Sequence, residues 1–349
     1  MSVQAPARIC FFGDHQDYLG LPVIAGTIDR YIHLNAKPNN QSKYSIQLLD
    51  LDKEIVIHLN EKFNTIAAED YYRSCMEILR LQGATFKQGY TIEISGTIPV
   101  NAGVSSSSAL VVAWLRFLIE AQEVNRTVTD AQIGRWAYEA EVLFFKQPGG
   151  LMDQYTIAQG GMLYIDTQKG ETTPLSSKIG TLLLAESGLA KQTLEVLQNA
   201  RHYAQNAIDE VSRQYPDFDL QKAKEEDYSN YLHCVSDLYK PYWYATINNY
   251  LITLNAKKEL LNSNPNIEKI GSLMNAHQKI LQECIQNTPE PMRIQMQAAL
   301  DAGALGAKII GSGGGGCMVA LATEETKADI IQAFKSAGAK DAYQVQLAR

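Results

Sequence analysis

The sequence predicts an α+β protein of two mixed domains, residues 1–180 and 181–349. Three observations carry this. A chain of 349 residues is long enough for two domains. Its apolar share of 46% and charged share of 20% are ordinary for a chain with a sizeable core. Short β-type runs dominate up to about residue 180, and helical spacing dominates beyond it.

The elements follow in chain order. Ala7 to Phe12 reads as a strand ending at Gly13, and Pro22 to Leu34, rich in β-branched residues, as another. Tyr44 to Leu48 and Ile55 to Leu59 form a meander pair around the turn Asp50 to Lys53. Tyr71, Cys75, Ile78 and Leu79 share one face of a helix over Asp70 to Leu81. Tyr90 to Ile94 alternates as a strand does. A Gly- and Ser-rich loop then leads into an apolar helix from about Ser106 to Ala121. Thr129 opens the next helix, with Asp130 at its positive end. That helix runs to Phe145 and stops before Gln147-Pro148-Gly149-Gly150. Met162 to Ile165 and Thr181 to Ala185 read as strands, and about 190 to 300 as mostly helical. Lys308 to Ile310 and Met318 to Leu321 are strands around a glycine turn. Glu325 to Ser336 is the last helix and Ala342 to Gln346 the last strand.

Composition excludes several classes of function. A net charge of -7 argues against nucleic-acid binding, which favours a basic stripe. No apolar run is long enough to span a bilayer, and no signal pattern precedes Arg8. The five cysteines are scattered and form no CxxC pair, against a disulfide framework or a zinc site. A cytoplasmic protein, monomer or homodimer, is expected.

The sharpest feature is Pro99-Val-Asn-Ala-Gly103-Val-Ser105-Ser106-Ser107-Ser108-Ala109. It follows a strand and opens a helix. Gly103 permits close backbone approach. The first N–H groups of the helix lack internal partners and, with the helix dipole, make an anion site. A plain Ser-rich helix cap is the bland alternative, but a cap needs one serine. No Gly-Lys-Ser/Thr is present, so this is not a Walker A loop.

The segment resembles the Pro-x-x-x-Gly-Leu-x-Ser-Ser-Ala motif of the GHMP kinases, the family of galactokinase, homoserine kinase, mevalonate kinase and phosphomevalonate kinase. Val104 stands in place of Leu, Ser108 in place of Ala, and Asn101 where galactokinases have Gly. Arg8-Ile-Cys-Phe-Phe-Gly13-Asp14-His15-Gln-Asp17-Tyr18 is similar to the galactokinase signature Gly-Arg-Val-Asn-Leu-Ile-Gly-Glu-His-Thr-Asp-Tyr, with Asp14 replacing Glu. A solvated turn would also fit Gly-Asp-x-x-Asp. Ala140-Glu141 through Met152-Asp153-Gln154 resembles the run Ala-Glu-x-x-Phe-x-Gly-x-x-x-Gly-x-Met-Asp-Gln, with Lys146 in place of a Gly. Gly306-Ala-Lys-Ile-Ile-Gly311-Ser-Gly313-Gly314-Gly-Gly-Cys317 resembles the third family motif.

The resemblance implies a β/α N-terminal domain of ribosomal-S5-like type and a ferredoxin-like C-terminal domain, with ATP between them. It implies ATP contacts at Gly103, Ser105, Ser106, Ser107, Ser108, Gly313 and Gly314. Glu141 with Ser107, or with Ser106, would hold Mg²⁺, a hard cation that suits oxygen ligands. Asp153 would be the catalytic carboxylate, kept ionised by Arg8, which itself stays protonated. Asp14, His15, Asp17 and Gly150 would meet the hydroxyls of a sugar. His277 and Cys317 read as structural. Ser187-Gly-Leu-Ala-Lys191-Gln-Thr193 resembles mevalonate kinases instead, with Thr193 near metal or phosphates.

The leading expectation is a kinase acting on a monosaccharide, at the anomeric hydroxyl if the galactokinase analogy holds. A mevalonate kinase is the second, although an anionic acid would favour basic groups over the Asp-His-x-Asp cluster. A non-catalytic sugar and ATP sensor on the same fold is the third.

Overall fold

The computed structural model describes residues 1–63, 65–99, 103–122, 127–176, 178–190 and 193–348. Asn101, Lys191 and the side chain of Thr193 lie outside the described residues.

The strands of the first sheet are β1 Ser2–Phe12, β2 Val23–Asn39, β3 Lys43–Leu48, β4 Lys53–His58, β5 Gly89–Gly96, β6 Met162–Asp166 and β7 Glu171–Pro174. Their order is β4-β3-β5-β2-β6-β7, and β1 also pairs with β2. β2 is long because three partners share it: β6 at Val23 to Gly26, β5 at Ile32 to Asn39, and β1 along its length. The β3–β5 pair is parallel, and the other ladders are antiparallel.

Four helices cover this sheet: α1 Tyr71–Leu81, α2 Ser106–Ala121, α3 Asp130–Tyr138 and α4 Met152–Gln159. α1 starts where it does because Asp70 accepts from the Arg73 N–H. Thr129 and Gln132 form a capping box on α3. α2 carries apolar residues round nearly its whole circumference, so it lies in the interior. Trp114 on α2 is 1% exposed and meets Tyr44, Tyr72 and Phe117. Emptying such a site costs on the order of 3–5 kcal/mol.

The second sheet holds β8 Thr181–Glu186, β9 Gly306–Ile309, β10 Cys317–Ala322 and β11 Asp341–Val345, all antiparallel. Its order, β11-β8-β10-β9, is the ferredoxin-like arrangement. Between β8 and β9 run α5 Thr193–Gln214, α6 Glu225–Tyr231, α7 Lys240–Leu260, α8 Ile267–Ile280 and α9 Glu290–Asp301; α10 Lys327–Ser336 joins β10 to β11. One apolar cluster contains Ile9 and Phe117 as well as Leu184, Val319 and Met274, so the two sheets share a core.

The chain then returns to the first sheet. Leu347 bridges Ile28, and the Ala348 carbonyl accepts from Thr27 Oγ1 (2.6 Å) and from the Gly161 N–H (3.0 Å).

Two expected outlines change. The helix expected to reach Phe145 ends as α-helix at Tyr138 and continues as a π-turn over Glu139–Leu143. The strands β1 and β2 both extend past the expected ends. No helix among the described residues is long and apolar enough to cross a membrane.

Candidate active site

A cleft of ≈ 260 Å³ opens where the end of β1, the start of α2, the π-turn, the start of α4 and the turn after β9 converge. Its size is near the lower end for small-molecule sites.

Arg8 lies on β1 and is 3% exposed. Its Nε and Nη2 donate to Asp153 Oδ1 (2.6 Å) and Oδ2 (2.9 Å), a two-pronged pair. Nη1 donates to the Gly103 carbonyl at 2.8 Å, and the Arg8 N–H to the Val104 carbonyl at 3.2 Å. Burial opposes the Arg8 charge, but Asp153 more than offsets it and the pKa is raised. Asp153 stands in the first turn of α4, just past the Gly149-Gly150 break.

Asp17 faces Asp153 across the cleft and has no ion-pair partner among the described residues. Its oxygens accept from the Tyr18 N–H (3.0 Å) and, more weakly, the Met152 N–H (3.5 Å). Burial, then repulsion from Asp153, push its carboxyl up to about 6. Gly150 is required by this packing: a Cβ there would fall 2.2 Å from Asp17 Oδ2.

Glu141 sits on the π-turn, 5% exposed. A π-turn inserts one residue and re-aims the side chains after it, and such turns recur at functional sites. Gln154 Nε2 donates to Glu141 Oε2 at 2.7 Å. Burial raises the Glu141 pKa, against hydrogen bonds from Gln154, Ser107 and Ser108. Ser106 begins α2 and lines the same wall. Among the described residues no group of three His, Cys, Asp or Glu is placed to hold a metal. One carboxylate, a serine hydroxyl and the phosphates of a nucleotide remain a workable oxygen set.

Five of the expected contact residues have partners within the protein. Asp14 has no accessible side-chain surface: Lys308 Nζ donates to Oδ2 (2.7 Å) and the Gly311 N–H to Oδ1 (2.7 Å). Both oxygens are engaged inside the protein, at a point where Asp14 also borders the cleft. His15 lines the cleft, but one ring nitrogen faces the Tyr18 hydroxyl (2.9 Å) and the other the Ser312 carbonyl and Asn287 amide (both 2.9 Å). Ser105, expected on ATP, donates instead to Asp153 Oδ2. Gly314 donates its N–H to the Asn287 carbonyl at 2.7 Å, and Gly313 packs against the same residue; Gly311 and Ser312 line the cleft in their place. His277 is fully buried and stacked on Phe12, and burial holds it neutral with a pKa of about 3.

Lys308, Gln154 and Asn287 escaped the sequence reading. Lys308 left a signal as a lysine inside the apolar run Gly306 to Ile310, and Gln154 as the last residue of the Met152-Asp153-Gln154 run; Asn287 left none.

The description "GHMP kinases N terminal domain" matches residues 70–161, and "GHMP kinases C terminal" residues 256–340. A mevalonate kinase of Thermococcus gammatolerans is 27% identical, over 96% of this chain and 92% of that protein. A galactokinase of Thermococcus kodakarensis is also 27% identical, over 92% of this chain and 89% of that protein. The structure of Lactococcus lactis galactokinase complexed with galactose superposes with a TM-score of 0.87 at 20% identity, covering 99% of this chain and 93% of the other. That likeness concerns the fold.

Proposed function

The chain belongs to the GHMP kinase family, and from that premise we propose that it transfers the γ-phosphoryl group of ATP to a hydroxyl of a neutral, sugar-like substrate. The acceptor of this reading is the anomeric C1 hydroxyl of galactose or a related monosaccharide. The observation that carries it is Asp17, a carboxylate on the cleft wall without an ion-pair partner among the described residues. Its remaining acceptor capacity suits hydroxyl donors and repels an anion.

In this reading the substrate oxygen attacks the γ-phosphorus, the bond from phosphorus to the β,γ-bridging oxygen breaks, and ADP leaves. The hydroxyl proton passes to Asp153. Arg8 holds that carboxylate in one orientation and offsets charge growing on the transferred group. Gly103, Ser106 and the first N–H groups of α2 cradle the phosphates. Glu141 and Ser107 would hold Mg²⁺: the Glu141 carboxylate is buried without a cationic partner among the described residues, which fits a divalent ion. Bound there, Mg²⁺ supplies charge neutralisation at the phosphates.

A mevalonate kinase is the second reading, favoured by similarity to mevalonate kinases along 96% of the chain. Mevalonate carries a carboxylate and needs a cation. Arg8 is committed to Asp153 and Lys308 to Asp14. Arg201 is the candidate: it has no carboxylate partner among the described residues, and donates to the Pro148 carbonyl at 3.1 Å beside the Tyr18 ring.

Coupled ADP release with Mg-ATP over a panel of galactose, its epimers, fucose, arabinose, galacturonate, heptose and mevalonate tests the two. Turnover on a neutral sugar supports the proposal. Turnover on mevalonate alone, lost in Arg201→Gln, overturns it for the second reading. ATP binding without turnover on any acceptor would leave a sensor.

A further inference from the structure

Ser105 adopts a left-handed backbone conformation, φ 64° and ψ 51°. Residues with a side chain occupy that region at a cost, and glycine occupies it freely. Ser105 stands at the N-cap of α2, where a serine usually accepts from the helix N–H groups, yet its side chain makes no capping bond. The hydroxyl is turned the other way and donates to Asp153 Oδ2. Strain retained beside a reactive carboxylate, with the capping use given up, points to a task for that hydroxyl.

The geometry of the neighbours defines the task. Arg8 grips the edge of Asp153 along Nε and Nη2, and the same guanidinium holds the Gly103 carbonyl. Arg8 and Ser105 therefore fasten one carboxylate from two sides to the loop that opens α2. Two of the other serines are engaged elsewhere: Ser107 bonds Glu141, and Ser108 bonds Glu141 and Gln154.

We propose that Ser105 is a positioning residue for Asp153, fixing the rotation of the acceptor carboxylate relative to the phosphate loop, and is not a ligand of the nucleotide. The inference rests on Asp153 receiving the substrate proton. It divides the serine run by role: Ser105 serves the acceptor side, while Ser106 and Ser107 serve the phosphate side.

The test is steady-state kinetics of the full chain with Ser105→Gly and Ser105→Ala, alongside thermal unfolding. Glycine relieves the left-handed strain, so Ser105→Gly is expected to keep or raise the melting temperature. Both variants are expected to lower kcat by about tenfold to a hundredfold, as loss of positioning does, with the KM for ATP nearly unchanged. A rise in the KM for ATP at constant kcat would mark Ser105 as a phosphate ligand and overturn the proposal. Wild-type kinetics in both variants would overturn it too. A large kcat gap between the glycine and alanine variants would assign the effect to backbone freedom instead of the hydroxyl, and would equally overturn it. Asp153→Asn separates the layers: if it retains turnover, Asp153 does not receive the proton and the premise of this inference fails, whereas no turnover of any sugar by the wild-type chain would be the failure of the proposed function.

Discussion

Replacing Lys308 by methionine is expected to destabilise the protein severely, and replacing Asp14 with it is expected to restore much of the loss. Both side chains of this ion pair have no accessible surface. Lys308 uses its three donors on Asp14 Oδ2 and on the carbonyls of Cys10 (3.1 Å) and Ile309 (2.6 Å). Lys308→Met leaves the Asp14 carboxylate buried with the Gly311 N–H as its main support. An uncompensated buried charge of that kind costs on the order of 3–5 kcal/mol. A typical domain holds only about 5–15 kcal/mol in total. Asp14→Asn strands the ammonium in the same way. The double variant Asp14→Asn/Lys308→Met removes both charges, so its loss should fall short of the summed single losses by at least about 2 kcal/mol. Urea unfolding followed by circular dichroism measures all four proteins. Single losses below about 1 kcal/mol, or strictly additive losses, would refute the argument. Normal stability of Asp14→Asn with a raised KM for sugar would place Asp14 in the substrate site. Burial pushes the Asp14 carboxyl up, but the Lys308 charge and hydrogen bonds outweigh it, and the net shift is downward. Its stabilisation is therefore present above the unfolded carboxyl value and is lost only in stronger acid.

Three more outcomes follow from the same cleft, and a fourth from the core behind it. Asp153→Asn is expected to abolish turnover while ATP binding by calorimetry stays nearly intact; retained turnover would remove Asp153 from the reaction. Because Asp17 titrates at about 6, the KM for a hydroxylated substrate should rise as pH falls through that value, and Asp17→Asn should erase this limb in a pH profile. Glu141→Gln should raise the Mg²⁺ concentration for half-maximal rate by about tenfold or more, read by metal titration at saturating sugar. His277 is held neutral with a pKa of about 3, so the unfolded chain binds its proton first as pH drops below 6.5. Stability should then fall by about 1.4 kcal/mol per pH unit from 6.5 downward, and His277→Met should flatten that slope in urea titrations.

How much of this was legible in the sequence depended on distance along the chain. The span of α2, Ser106–Ala121, was readable because a glycine and serines precede an unbroken apolar run. The strand β7, Glu171–Pro174, was not, because its residues are mostly exposed and lack alternation. The π-turn at Glu139–Leu143 is invisible to periodicity, since one inserted residue leaves the composition of a helix unchanged. The convergence of Arg8, Glu141 and Asp153 on one cleft could be expected from motif order. The fate of Asp14 could not. Its partner Lys308 lies 294 residues away, and a short carboxylate near a glycine looks the same whether it meets a sugar or a lysine.

The return of residues 346–348 to β2 has a consequence for synthesis. The hydroxyl of Thr27 waits for a carbonyl 321 residues later in the chain. At ribosomal speeds of about 5–20 residues per second, that wait is roughly 16–64 s. During it the Thr27 carbonyl, which accepts from the Ala348 N–H at 2.9 Å, lacks that partner on the nascent chain. The first sheet can collapse early, but this seam cannot close until residues 346–348 have emerged, which makes chaperone contact there a matter of timing.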